Sequence, residues 1–407
     1  MTLSLPKLYL VTSVLIFFLA GLGYTPYVPY WTHNFIFFAL LPPIFFFGWK
    51  TDRIFVILCI AWLVVGLAPF FYSTITLNEL WLRGLKIMAP VFAYMVGKNS
   101  GIDYRMLVRL CIWGLYLNAG MALVELFILP HAYMVDQGAG AHWVKMDLDI
   151  PLWAYRVTGF LGNPNALGAY AAFTMAFVLG SKSLRNKWLY LVFSLIVAFA
   201  CAKSRNSAMV ILGMIMLSPI FNDRYRHSIL CLTLLGMLAL VLVTVDMSVL
   251  RLYFFRSAVF GDNVDTRMTV NLDGIRIWWK NMITLGGGMG SETYYMIAGN
   301  AARPYTESAY IKLLLERGLL GFFMHCGVLA YVYFKARGRQ LRDTMKYICI
   351  AIGGISFFET VFYVKELYII LFFCFGCIVG MSGKEDPTQS EVESNPGEHS
   401  SRLRGAV

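Results

Sequence analysis

Apolar residues run along this chain in continuous blocks, and polar residues collect in the gaps between them. The blocks fall at roughly 8–22, 33–49, 54–72, 82–97, 108–129, 160–180, 187–201, 206–220, 228–246, 315–334, 346–361 and 366–381. Most approach the ~17–25 residues that carry a helix across a bilayer. Only helices or closed barrels satisfy the backbone inside lipid, and barrel strands alternate apolar with polar, so uninterrupted runs select helices. The pattern predicts an all-α integral membrane protein, a polytopic bundle of about 12 transmembrane helices with a large periplasmic loop between spans 9 and 10.

Two outer gaps are long enough to form structure, 130–159 and 247–314. In the second, the apolar residues of "TRMTVNLDGIRIWWKNMITL" recur every three or four positions. That spacing predicts an amphipathic helix along the membrane face. The glycines of "GGGMG" (286–290) then permit a tight turn. Residues 1–381 form the membrane domain, and 382–407, rich in Ser, Glu and Pro, are expected to be a disordered cytoplasmic tail. No short-period repeat is visible.

Composition agrees with this reading. The 407 residues are 58% hydrophobic and 14% charged, whereas soluble domains are about 45–50% apolar. The net charge of +11 is spread over many loops rather than gathered in one patch. It therefore speaks for topology and against a nucleic-acid partner. Lys50 and Arg53, Lys98, Arg105 and Arg109, Lys182, Arg185 and Lys187, and Arg337, Arg339 and Arg342 fall in alternate gaps. Those gaps are assigned to the cytoplasm, so both termini are expected inside. The first span follows Lys7 without a small-residue cleavage site and is read as retained. The eight cysteines lie in or beside apolar runs, including the "CFGC" at 374–377, and read as small core residues.

Charge at a membrane rim is costly unless paired or wet, which makes such residues functional candidates. Four places qualify. "YRVTGFLGNPNALGAY" carries Arg156, and Asn163 and Asn165 around a helix-starting Pro164. "CAKSRNSAMV" places Lys203 and Arg205 on a short outer hairpin, against the orientation rule. The predicted amphipathic helix carries Arg267 and Arg276, about 2.5 turns apart and so not on one face. The stretch entering the tenth span holds Arg303, Glu307, Lys312, Glu316 and Arg317, the last two read as interface markers.

Arginine forks match phosphate oxygens with paired charge-assisted hydrogen bonds. They can stabilise a departing lipid diphosphate in the role a metal ion plays elsewhere, while a carboxylate takes a proton from an incoming sugar hydroxyl. This residue set suits glycosyl transfer. His131, Asp136, His142, Asp147 and Asp149 share the first long loop, but their spacing matches no ligand pattern, so no metal and no other cofactor is expected. "GGGMG" precedes no GK[ST], which excludes a P-loop.

The motifs "RVTGFLGNPNALGAY", "KSRNSAMV", "TRMTVNLDGIRIWWKNMITLGGGMG" and "TESAYIKLLLERGLLGFF", in this order over about 150–335, resemble the O-antigen polymerase and O-antigen ligase superfamily of bacterial inner membranes. The resemblance implies a metal-independent glycosyltransferase in the inner membrane, acting at the periplasmic face on undecaprenyl-diphosphate-linked oligosaccharides. A chain-length regulator would be a possible partner, besides membrane lipids. It implies that Arg205 and Arg267 or Arg276 hold the diphosphate. In ligases the last motif opens with a His-Asn pair eleven residues before a Gly; here that Gly is Gly318 and the position is Glu307. The departure favours a polymerase over a ligase. Glu307, Arg205, Arg267 and Arg276 are thus the expected catalytic set, with Arg156, Asn163, Asn165, Lys203 and Arg303 in substrate binding. The alternatives are a ligase acting on lipid A core and, in another class, a lipid-linked oligosaccharide flippase, which would be expected to carry mid-membrane charge and duplicated halves.

Overall fold

The computed structural model describes residues 52–67, 90–127, 132–136, 141–145, 157–161, 163–182, 184–202, 204–221, 264–281, 284–288, 291–301, 305–359 and 365–383. Among them helix predominates. The helices are α1 (Arg53–Leu67), α2 (90–99), α3 (Tyr104–Phe127), α4 (Pro164–Gly180), α5 (Lys187–Ile196), α6 (Arg205–Phe221), α7 (Val264–Asn281), α8 (Glu292–Ala298), α9 (Ala309–Lys335), α10 (Arg339–Phe358) and α11 (Lys365–Ser382). A π-helical turn, Val197–Cys201, continues α5, and a 3-10 turn, Gly159–Leu161, precedes α4.

Where an expected span falls on described residues, a helix is present. Tyr104–Glu125 and Ala309–Lys335 are long and apolar enough to cross a membrane, by length and composition. Pro164–Gly180, Lys187–Phe199, Asn206–Ser218 and Leu367–Ser382 are shorter apolar helices. The expected spans at 8–22, 33–49 and 228–246, and the tail from 384, lie outside the described residues. Two of the described helices meet the length and composition criterion for a span, and the count of about 12 is an expectation of the sequence pattern. One strand pair was not anticipated: β1 (Ala132–Asp136) and β2 (Ala141–Lys145) pair antiparallel, from Ala132 opposite Lys145 to Asp136 opposite Ala141. The β-favouring Tyr133, Val135, Trp143 and Val144 around a Gly-containing "QGAG" explain it.

The core is built around α4. Its sequence is rich in Ala and Gly, and every residue from Ala166 to Gly180 is buried. Small side chains let neighbouring backbones approach in the absence of a hydrophobic drive between lipid-bathed helices. α3, α5, α6 and α10 pack around it. The same device joins α11 to α2: a Cβ at Gly376 would strike the Tyr94 carbonyl oxygen, and one at Gly380 that of Lys98. Cys374 and Cys377 are buried free thiols there, in the structural role expected of "CFGC".

Helix direction alternates, so the bundle has two ends of different chemistry. At one, Tyr104 Oη meets Thr344 Oγ1 at 2.6 Å, Lys98 pairs with Asp52 at 3.5 Å, and the Arg337 N–H donates to Ser382 Oγ. The basic residues of the α2–α3, α4–α5 and α9–α10 connections gather at this end. At the other end, the tail of α3 holds the start of the next segment: Glu125 accepts from the Thr158 N–H at 2.7 Å and from Thr158 Oγ1 at 2.8 Å. The interior acid at Glu125 is thus fully engaged in fastening the entry to α4.

α9 differs from its expectation in two ways. It starts at Ala309, ahead of the apolar block, and it breaks at Gly318 (φ 63, ψ −166). The turn 284–288 fills the break. The Gly287 and Gly288 N–H groups donate to the Leu315 and Glu316 carbonyls at 2.8 and 2.7 Å, and the Leu320 N–H donates to the Thr284 carbonyl. Gly286 also has positive φ, and a Cβ there would run into the Arg317 backbone. Glu316 and Arg317, read from sequence as interface markers, are instead 2% and 1% exposed. The turn packs directly against the backbone of these two residues.

Candidate functional site

The site grows from the heads of three helices. Asn163 caps α4, its side-chain oxygen accepting from the N–H groups of Asn165 (2.8 Å) and Ala166 (3.3 Å), with Pro164 at the first helical position. Its role is that of a helix start. Asn165 turns elsewhere: its amide donates to Glu359 Oε2. Asn206, in the first turn of α6, donates to Glu359 Oε1 at 3.0 Å. Glu359, at the end of α10, is buried. One carboxylate therefore clamps the "GNPN" and "SRNS" segments, which are about 40 residues apart in sequence, onto the tail of α10. Close by in the chain, the Val157 N–H donates to the Cys201 carbonyl at 3.2 Å, tying the two segments a second time.

At the head of α9 three consecutive residues are each held by a different helix. Thr306 donates through its N–H and Oγ1 to Glu292 Oε1 of α8, both at 2.5 Å. The Glu307 N–H donates to Asn271 Oδ1 of α7 at 3.1 Å. Ser308 Oγ donates to the Ser356 carbonyl of α10 at 3.2 Å. Glu292 is itself buried and paired with Lys312 Nζ at 3.1 Å, which gives Lys312 a structural role. Glu307 is half-buried and fixed through its main chain, while its neighbour Ser308 lies against the same α10 tail that ends in Glu359.

The two arginines proposed on α7 separate. At about 100° per residue, position 267 stands one turn from Asn271 on the same side of the helix, the side that meets Glu307. Arg276 is turned away, with 72% of its side chain exposed and Nη1 paired with Asp273 at 3.2 Å. Arg205 opens α6 beside Asn206, so its backbone is at the Glu359 clamp. Arg156, Lys203 and Arg303 lie outside the described residues.

Sequence reasoning missed Glu359, Asn206, Asn271 and Glu292. Glu359 carried a signal, since it is a carboxylate inside the apolar block 346–361, where charge marks function or pairing. Asn206 stood within a quoted motif, overshadowed by its charged neighbours. Asn271 and Glu292 carried none, because only the folded outer segment brings them to α9. Among the described residues no group of three or more His, Cys, Asp and Glu side chains is arranged to hold a metal. Compared with known protein families and with curated proteins, the chain matches none.

Proposed function

We propose that this protein polymerises lipid-linked oligosaccharide units, transferring a growing glycan from a polyprenyl diphosphate to a hydroxyl of an incoming unit. The observation that carries the reading is the convergence of separate motifs on one end of the bundle: Asn165 and Asn206 on Glu359, Glu307 on Asn271, and its neighbour Ser308 on Ser356. That end is opposite the connections richest in Lys and Arg, which supports an orientation away from the cytoplasm.

In this reading Glu307 accepts the proton of the acceptor hydroxyl as its oxygen bonds to the anomeric carbon. The bond from that carbon to the diphosphate breaks, and the lipid diphosphate leaves as an anion. Arg205 and Arg267 neutralise it through bidentate hydrogen bonds. With Glu307 as the one base and Glu359 already occupied by two amides, direct displacement with inversion is the simplest course. The Glu359 clamp holds the heads of α4 and α6 in register, which sets where Arg205 begins its helix.

Reconstituted protein given purified lipid-linked donor tests the reaction. Longer glycans together with free lipid diphosphate are expected. Movement of the donor across the bilayer without either product would replace the polymerase by a flippase, and transfer only onto lipid A core would replace it by a ligase.

A further inference from the structure

Helix α7 has more apolar surface than its partner uses. Taking about 100° per residue, Val270, Gly274, Ile277 and Trp278 form one stripe, and this stripe is buried against α8 and the upper half of α9. Met268, Leu272, Ile275 and Trp279 recur at spacings of four, three and four residues and form a second stripe on nearly the opposite side. These four side chains are exposed, Met268 and Trp279 by 64% and 65%. Thr269, Asp273, Arg276 and Lys280 fill a third sector, which is polar and basic, and Arg276 and Lys280 are exposed in it. A helix that only covered a soluble surface would need one apolar face. This one has two.

We infer that α7 lies in the outer membrane–water interface, with the Met268–Leu272–Ile275–Trp279 stripe in the acyl boundary and Arg276 and Lys280 on lipid phosphates. Three observations choose lipid as the occupant. α7 rests on the head of α9, one of the two described helices long and apolar enough to cross a membrane, which puts it at headgroup level. Its uncovered stripe ends in Trp279, and tryptophan favours that boundary. The cations flank the stripe rather than oppose it, the arrangement of a helix lying flat on an anionic surface. The same placement turns the side of Asn271, and with it Glu307, along the membrane plane instead of out toward bulk water.

The test uses the full-length native chain in nanodiscs of phosphatidylcholine and phosphatidylglycerol. One preparation is doped with a phospholipid carrying a diazirine midway along an acyl chain, a second with a diazirine in the headgroup. After irradiation, adducts are located by peptide mass spectrometry. The acyl probe is expected on Met268, Leu272, Ile275 or Trp279, at a yield comparable to that on exposed Phe323 and Phe334 of α9, and the headgroup probe on the segment bearing Arg276 and Lys280. Combining Leu272→Glu with Trp279→Glu should lower α7 acyl adducts at least ~10-fold while α9 labelling is unchanged, a control for folding. Labelling of α9 with no acyl adduct on α7 would overturn the placement. So would a crosslink between two copies of the chain formed at position 268 when a diazirine-bearing methionine analogue replaces Met268. The readout needs no turnover, so it stands apart from the polymerase assay.

Discussion

Glu307 and Glu359 are two carboxylates at one end of the bundle with different duties, and substitution separates them. Glu359 is buried and holds two amides, so its loss strands both. Glu359→Ala should destabilise the protein by on the order of 3 kcal/mol, and Glu359→Gln by less, because one acceptor oxygen remains. Thermal unfolding in detergent checks the order. Glu307 is anchored through its N–H, which survives replacement of the side chain. Glu307→Gln keeps that anchor and the side-chain length, and should lower glycan polymerisation at least ~100-fold. A normal polymer ladder from that variant would remove the proposed base. The arginines of α7 divide likewise: Arg267→Ala is expected to cost ~100-fold or more in rate, and Arg276→Ala only a few-fold, since Arg276 faces away and pairs with Asp273.

At the scale of elements, the sequence reads helices well and their interruptions poorly. Continuous apolar blocks specify α3, α4 and α10 because lipid or core leaves the backbone no other way to bond. The three-and-four spacing specifies α7, but period alone cannot say that its apolar residues split into two stripes. The Gly318 break in α9 is less legible still, since it exists only because a turn 30 residues earlier in the chain fills it. Gly318→Ala sets a side chain at positive φ and into the Thr284 carbonyl, which should cost on the order of 3 kcal/mol or more. Gly327→Ala, lower in the same helix, meets nothing within 4 Å and should be neutral or stabilising by up to ~1 kcal/mol. Paired melting curves of these variants distinguish a required break from ordinary helical glycine.

For the whole molecule, the distribution of charge supports the proposed orientation, and packing brings the candidate segments together. The Lys and Arg residues between α2 and α3, α4 and α5, and α9 and α10 share one end, and the Glu307 and Glu359 segments share the other. In intact cells, a cysteine replacing Arg185 or Gly338 should resist a membrane-impermeant maleimide, and one replacing exposed Tyr305 should react, each measured against the parent chain. The reverse pattern would invert the topology and place the chemistry in the cytoplasm. Motif order alone indicated that the "GNPN", "SRNS" and "TES" segments belong together. The residues that join them, Glu359, Asn271 and Glu292, came to light only with the fold, because each lies in a different helix from the residue it holds.

The plug in α9 also imposes an order of assembly. Thr284 to Gly288 leave the ribosome well before Leu315 to Leu320, so their amides and carbonyl wait for a partner not yet made. Until it arrives the outer segment cannot close on α9, and a nascent chain stopped between them should remain open to protease in that outer segment.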